Sequence, residues 1–228
     1  MLDEILFRGD GFDAMRVIVV ALALAVCVAY LGLLNGAASA LRTAVKTAGI
    51  LILSSLPLTF LGTPNAPASA LLLLAVALAL SALGDFFLAL KDQRRFFVPG
   101  LASFLAAHVA YLIAFLPHAS RPDGVALAAI AAVLAAAALL LARIAPHLGS
   151  LRVPVFAYFA VIMAMVAAAL SIREAWILSA GAAVFALSDS LIAVRKFAAP
   201  FALINEAVWI TYVAAQFMIA AGFLNLIL

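Results

Sequence analysis

Long apolar blocks, cut by short polar breaks, run the length of this chain. Eight of them reach about 18 residues or more, the length that carries a helix across a bilayer. They cover 15–34, 41–61, 67–90, 96–116, 125–144, 153–170, 175–194 and 202–226. The breaks are Asn35-Gly36, 62–65, 91–95, 117–124, 146–152, 171–174 and 195–200, and most hold Pro, Gly or charged residues. Continuous apolarity means that each block is wetted by hydrocarbon or protein on every side. In such surroundings a helix satisfies its own backbone hydrogen bonds. The pattern therefore predicts an all-α membrane protein with eight transmembrane helices. The fifth span, with its alanine run, is expected to be the most peripheral.

Composition agrees. Of 228 residues, 69% are hydrophobic and 10% charged, and mean hydropathy is +1.30. A soluble domain carries about 25% charged residues, so no water-soluble fold could hide this much apolar surface. No linker rich in Gly, Ser or Pro marks off a second domain, and residues 1–228 read as one integral membrane domain. The net charge of +3 sits at helix ends, where it sets orientation and does not point to nucleic acid. Cys27 is the single cysteine and supports neither a disulfide nor a metal cluster.

Orientation follows from Lys and Arg near the span ends. Arg42, Lys46, Lys91, Arg94, Arg95, Arg143, Arg152, Arg195 and Lys196 fall at the odd-numbered connections, and Arg8, Arg16, Arg121 and Arg173 on the other side. The expectation is both termini outside a bacterial inner membrane, with the odd connections in the cytoplasm. Ala38-Ser39-Ala40 has the form of a signal-peptidase site. It is rejected, because residues before it include Asp3, Glu4, Asp10 and Asp13 against Arg8 and the apolar run is too long for a signal h-region.

Against this background two acids stand out. Asp85 closes the third span in Ser81-Ala82-Leu83-Gly84-Asp85, and Asp189 lies in Ala186-Leu187-Ser188-Asp189-Ser190 of the seventh. A carboxylate in the middle of a membrane helix costs about 2.5 kcal/mol or more, which makes each a functional candidate with a partner to be found. Both sit in the pattern A-L-small-D-x-x-x-A and precede a basic cluster followed by Phe, Lys91/Arg94/Arg95 and Arg195/Lys196. The echo predicts two parallel four-helix repeats, 15–116 and 125–226, related by an axis along the membrane normal. Tyr111-x3-Phe115 and Tyr212-x3-Gln216 extend it. Two aspartates meeting in one dry cavity share a proton, one neutral and one ionised, and so supply a general acid and a general base together. The plainer alternative for either acid alone is a carboxylate paired with a nearby Arg or Lys.

His108 and Tyr111 lie three residues apart on one helix face. For a lone histidine the plainer reading is a hydrogen bond inside the bundle. Lys46, at the head of the second span, is placed to snorkel or to meet an anionic headgroup. Tyr158 and Tyr212 can donate hydrogen bonds inward. Glu206 reads equally as a helix N-terminal charge. Asp85, His108, Asp189 and Glu206 lack metal-ligand spacing such as H-x3-H, so no metal is expected. No phosphate loop and no G-x-S-x-G elbow is present.

The chain resembles the YhhN-type lysoplasmalogenase family of integral membrane proteins. The resemblance is carried by Ser81-x-x-Gly84-Asp85-x-x-Leu88, Phe97-x-x-Gly100-x-x-Ser103-Phe104-x-x-x-His108-x-x-Tyr111, Arg152-Val153-Pro154-Val155-x-x-Tyr158, Gly181-Ala182-x-x-Phe185-x-x-Ser188-Asp189-Ser190 and Tyr212-x-x-x-Gln216. It extends over most of the chain from Lys46 onward and does not reach the first span. The family's second span opens with Lys-Pro, whereas Lys46 is followed here by Thr47.

The resemblance implies hydrolysis of the vinyl ether bond of lysoplasmalogens to a fatty aldehyde and a glycerophospho-alcohol, without metal or cofactor. Asp85 and Asp189 would be the catalytic pair, near the cytoplasmic side of the membrane. Lys46, His108, Tyr111, Tyr158, Ser188, Tyr212 and Gln216 would line the lysophospholipid site. Lys46, Arg94 and Lys196 are the cations available to its phosphate. The residues themselves leave two other readings open: a small proton-coupled transporter with parallel repeats, and a scaffold whose acids merely pair with bases.

Overall fold

The structure, a computed structural model, describes residues 2–228. It holds nine α-helices and no strand among the described residues: α1 (Leu2–Leu6), α2 (Asp13–Leu31), α3 (Ala40–Leu53), α4 (Ala68–Ala89), α5 (Gln93–Phe115), α6 (Gly124–Ile144), α7 (Arg152–Leu170), α8 (Trp176–Phe197) and α9 (Ile204–Ile227). Short 3₁₀ turns at Pro57–Phe60, Leu116–His118, Ala145–His147 and Gly149–Leu151 extend α3, α5 and α6 and lead into α7. With these turns included, eight helices among the described residues are long and apolar enough to cross a membrane, and their bounds lie within a few residues of those the apolar blocks predict. α6 is the least buried, at 6% of its most apolar window, in keeping with its alanine run.

Polar side chains fix where helices begin. Ser39 accepts from the backbone N–H of Arg42 (3.2 Å) and starts α3, and Asp123 accepts from that of Ala126 (2.8 Å) and starts α6. Asp92 accepts from the N–H of Arg95 (3.2 Å). That cap draws Arg94 and Arg95 into the first turn of α5, so the break expected at 91–95 shrinks to its first residues.

The chain forms two compact units. One runs through Ala114 and includes Ala220–Leu228, and the other is Phe115–Ile219. In the first, α2 packs on α3 and α3 on α4. α2 turns Arg16, Val19, Ala23, Cys27 and Tyr30 inward, the helical spacing of a single buried face. Gly49 of α3 lies directly against the Cys27 sulfur. Between α4 and α5 two glycines make reciprocal room. A Cβ on Gly84 would lie 2.5 Å from the Phe104 ring, and one on Gly100 2.7 Å from the Leu88 side chain. In the second unit, Ile144, Leu148, Val155, Phe159 and Ala193 join α6, α7 and α8 in one cluster, and Gly181 of α8 brings that helix close to the backbone of Ile219 in α9.

Arg16 is wholly buried yet fully engaged. It donates to Asp10 (2.6 and 2.8 Å), to Asp13 (3.1 Å), and to the hydroxyl and carbonyl of Thr59 (3.3 and 3.1 Å). Its guanidinium stands 4.1 Å from the Phe60 ring centre. This fan ties the start of α2 to the turn after α3.

Two outcomes are expected. Gly84→Ala should lower stability by about 1–3 kcal/mol through overpacking, and Phe104→Leu should recover part of that loss in the double variant, both read as melting temperature in detergent. The hydrogen bonds from Arg16 hold the Asp10 carboxyl below its ordinary value of 3.8. A group lowered on folding stabilises above its unfolded pKa and loses that contribution as pH falls through the folded one. Acidification below about pH 4 should therefore depress the melting temperature of the wild type more than that of Asp10→Asn.

Candidate active site

Each unit carries a buried polar cluster around one aspartate. In the first, Asp85 sits near the C-terminal end of α4 and is 2% exposed. The Lys46 ammonium of α3 lies 3.2 Å from its Oδ1. The partner of Asp85 is thus a cation from another span, reached because α3 packs along α4. One turn back on the same face of α4, Ser81 donates to the carbonyl of Ala77 (3.0 Å) and shares a hydrogen bond with the buried Tyr111 of α5. Tyr111 is thereby fixed one helical turn from the ion pair.

His108, on the same helix as Tyr111, is fully buried. Its Nδ1 lies 2.6 Å from the carbonyl of Phe104. A carbonyl only accepts, so Nδ1 carries the proton and the ring is held by the preceding turn of its own helix. That is the plainer of the two sequence readings of His108. Phe104 is also the residue seated on Gly84, so the glycine next to Asp85 and the carbonyl that orients His108 meet at one side chain.

In the second unit Asp189 is 6% exposed, midway along α8. The hydroxyl of Tyr158 in α7 donates to its Oδ2 at 2.8 Å. A phenol and a carboxyl group set this close in a dry place make a strong, directional contact. Next to Asp189, Ser188 donates to the carbonyl of Val208 in α9 (3.0 Å) and pins α8 to α9. Tyr212 meets Phe185 edge-on, ring centres 5.6 Å apart, and lies 5.7 Å from Trp209. Gln216 is wholly buried one turn beyond Tyr212. Arg195, at the end of α8, donates to Asn205 (2.9 Å).

Of the residues singled out from the sequence, Lys46 joins Asp85 and Tyr158 joins Asp189. Ser188, Tyr212 and Gln216 belong to the α8–α9 side of the second unit. The inward hydrogen bond expected of Tyr158 is present. Ser81 was given no role from the sequence, although its spacing of four from Asp85 and its place in an apolar run were the available signals. The Lys46–Asp85 pair was also missed: a lone cation and a lone acid in adjacent spans form a natural couple, but only the helix faces decide that they meet.

The family model described as the YhhN family matches residues 41–223, a range that contains both polar clusters. The chain is 41% identical over 152 residues to lysoplasmalogenases of Mycobacterium bovis and Mycobacterium tuberculosis, covering 64% of this chain and 58% of each relative. It is 35% identical over 155 residues to the human lysoplasmalogenase TMEM86B, covering 67% of this chain and 64% of that protein. The chain thus spans less than two thirds of the length of these relatives. No solved structure matches it. With the family model matched over 41–223, from the head of the second span into the last helix, the chain belongs to the YhhN family.

Proposed function

We propose that this protein is a membrane hydrolase that cleaves the vinyl ether bond of lysoplasmalogens, and that Asp85 and Asp189 act on the same substrate in different protonation states. The ion pair between Lys46 and Asp85 carries the reading. An ion pair is made by a carboxylate, not a carboxylic acid, so Asp85 is the base. Asp189 faces a neutral phenol where Asp85 faces a cation, and in this reading it is the acid. The names of the mycobacterial and human relatives support the substrate.

In this scheme Asp189 delivers its proton to the β-carbon of the vinyl ether, and the adjacent carbon becomes an oxocarbenium ion. The negative charge of Asp85 stabilises that cation. Asp85 then accepts a proton from the water that adds to it. The hemiacetal collapses as its hydroxyl returns a proton to Asp189 and the departing glycerol oxygen takes one from Asp85. One water is consumed, an aldehyde and a glycerophospho-alcohol leave, and both carboxyl groups are restored. Tyr158 holds the Asp189 carboxyl in one orientation throughout. The distribution of Lys and Arg supports a site toward the cytoplasmic side of a bacterial inner membrane.

Purified protein in detergent, given lysoplasmenyl-ethanolamine or -choline, should release fatty aldehyde without a sealed membrane. Asp85→Asn and Asp189→Asn should each lose about 10²-fold or more of kcat while still folding. Lys46→Met should lose nearly as much as Asp85→Asn, and Lys46→Arg should recover most of it. A folded wild type that releases no aldehyde from either headgroup class, or an active Asp85→Asn/Asp189→Asn double variant, would refute the proposal.

A further inference from the structure

A groove of about 560 Å³ runs between α3 and the last turns of α4, within the range of small-molecule sites. Its walls are apolar, chiefly Ala44, Ala48, Leu51 and Phe86, and Ser39 and Lys91 stand at one end. It lies level with the ion pair along the two helices, since Thr47 and Phe86 of its wall directly follow Lys46 and Asp85, which themselves face away from it.

Two polar groups in this groove have unmet capacity. Lys91 makes no ion pair among the described residues and brings a cation to the rim. Thr47 lines the middle, and its buried hydroxyl has no hydrogen-bond partner. Hydroxyls elsewhere in these helices close on the carbonyl four residues back, as Ser81, Ser103, Ser190 and Thr211 do. That bond is the usual resort of Ser and Thr inside a helix, and Thr47 does not make it. A rise of 1.5 Å per residue puts the end of α4 at Ala89 roughly 6 Å along the axis from Asp85, and Lys91 lies two residues beyond that end. The groove thus reads in order as cation, unsatisfied hydroxyl level with the ion pair, then hydrocarbon wall.

We propose that this groove seats a single-chain phospholipid. Its phosphate meets Lys91, an oxygen of its glycerol or ether linkage meets the Thr47 hydroxyl, and the first carbons of its chain lie along Ala48 and Leu51. The assignment deepens the hydrolase reading and rests on it for the identity of the bound lipid as substrate. It places the bond to be cleaved at the depth of Asp85, with the rest of the tail running on into the bilayer.

The test uses the full-length protein in detergent and a lysophosphatidylcholine bearing a diazirine on its acyl chain, which has no vinyl ether. After illumination, crosslinks mapped by mass spectrometry should concentrate on α3 and the end of α4, and unlabelled lysophosphatidylcholine should remove them. Diacyl phosphatidylcholine at the same concentration should not. Ala48→Phe should abolish the label. Should that variant fail to fold, Thr47→Val and Lys91→Gln serve, each expected to weaken labelling on the order of fivefold, the loss of one hydrogen bond or exposed charge contact. With lysoplasmalogen the same two variants should raise KM and leave kcat near wild type, and Lys91→Gln should not change KM for an alkenylglycerol lacking phosphate. Labelling spread over all lipid-facing helices, or equal displacement by the diacyl lipid, would show an ordinary bilayer contact and overturn the proposal. Aldehyde release with crosslinks confined to other helices would overturn the groove and leave the hydrolase. Groove labelling without aldehyde release would overturn the hydrolase and leave a lysophospholipid site.

Discussion

A lysine ammonium and an aspartate carboxylate, 3.2 Å apart between two apolar helices, set the terms for the first unit of this protein. Either charge alone is costly in such surroundings, and removing one partner would strand the other at a cost of about 3–5 kcal/mol. The pair therefore constrains which faces of α3 and α4 meet. The neighbouring features follow from that contact. Ser81 falls one turn from Asp85, beside Tyr111. Gly84 lets Phe104 close over the adjacent backbone, and the carbonyl of Phe104 orients His108. A buried salt bridge is weak evidence for stability, since apolar residues of the same volume often serve as well. Its presence in a membrane span is better explained by what a fixed carboxylate can do.

The second unit offers a contrast. Asp189 meets a neutral phenol, Tyr158, at 2.8 Å, where Asp85 meets a cation. Two acids of the same type are thereby placed in unlike environments, and unlike environments assign unlike roles to chemically identical groups. Protonating a vinyl ether and activating water need one carboxylic acid and one carboxylate. In the proposed reaction the cation beside Asp85 and the phenol beside Asp189 divide those two roles.

Much of this was legible in the sequence, and the reasons differ by feature. The eight spans could be read because a membrane helix must be apolar nearly all round, so their lengths stand out without any knowledge of packing. Asp85 and Asp189 stood out because acids are rare in such runs. Tyr158 was nominated as an inward donor, and it is one. From the sequence Lys46 reads as a cation that snorkels or meets a lipid headgroup, and its place against Asp85 is not legible there. Periodicity says little about facing in helices that are apolar on every side, so which residue of α3 meets α4 is decided only by packing. The start of α5 differs from the sequence expectation for a local reason: Asp92 reads as part of a charged loop, and it is a helix cap. Arg16 reads from the sequence as a boundary charge, and its burial depends on Thr59, 43 residues on, joining the nearby Asp10 and Asp13.

The central claim is that Asp85 is ionised and Asp189 protonated in the resting protein at neutral pH. Infrared spectroscopy of the purified protein reads this directly through the carbonyl stretch of a protonated carboxyl group. The account predicts that such a band is present in the wild type, persists in Asp85→Asn and disappears in Asp189→Asn. A band that disappears in Asp85→Asn and persists in Asp189→Asn would contradict it, as would a wild-type spectrum with no protonated carboxyl at all.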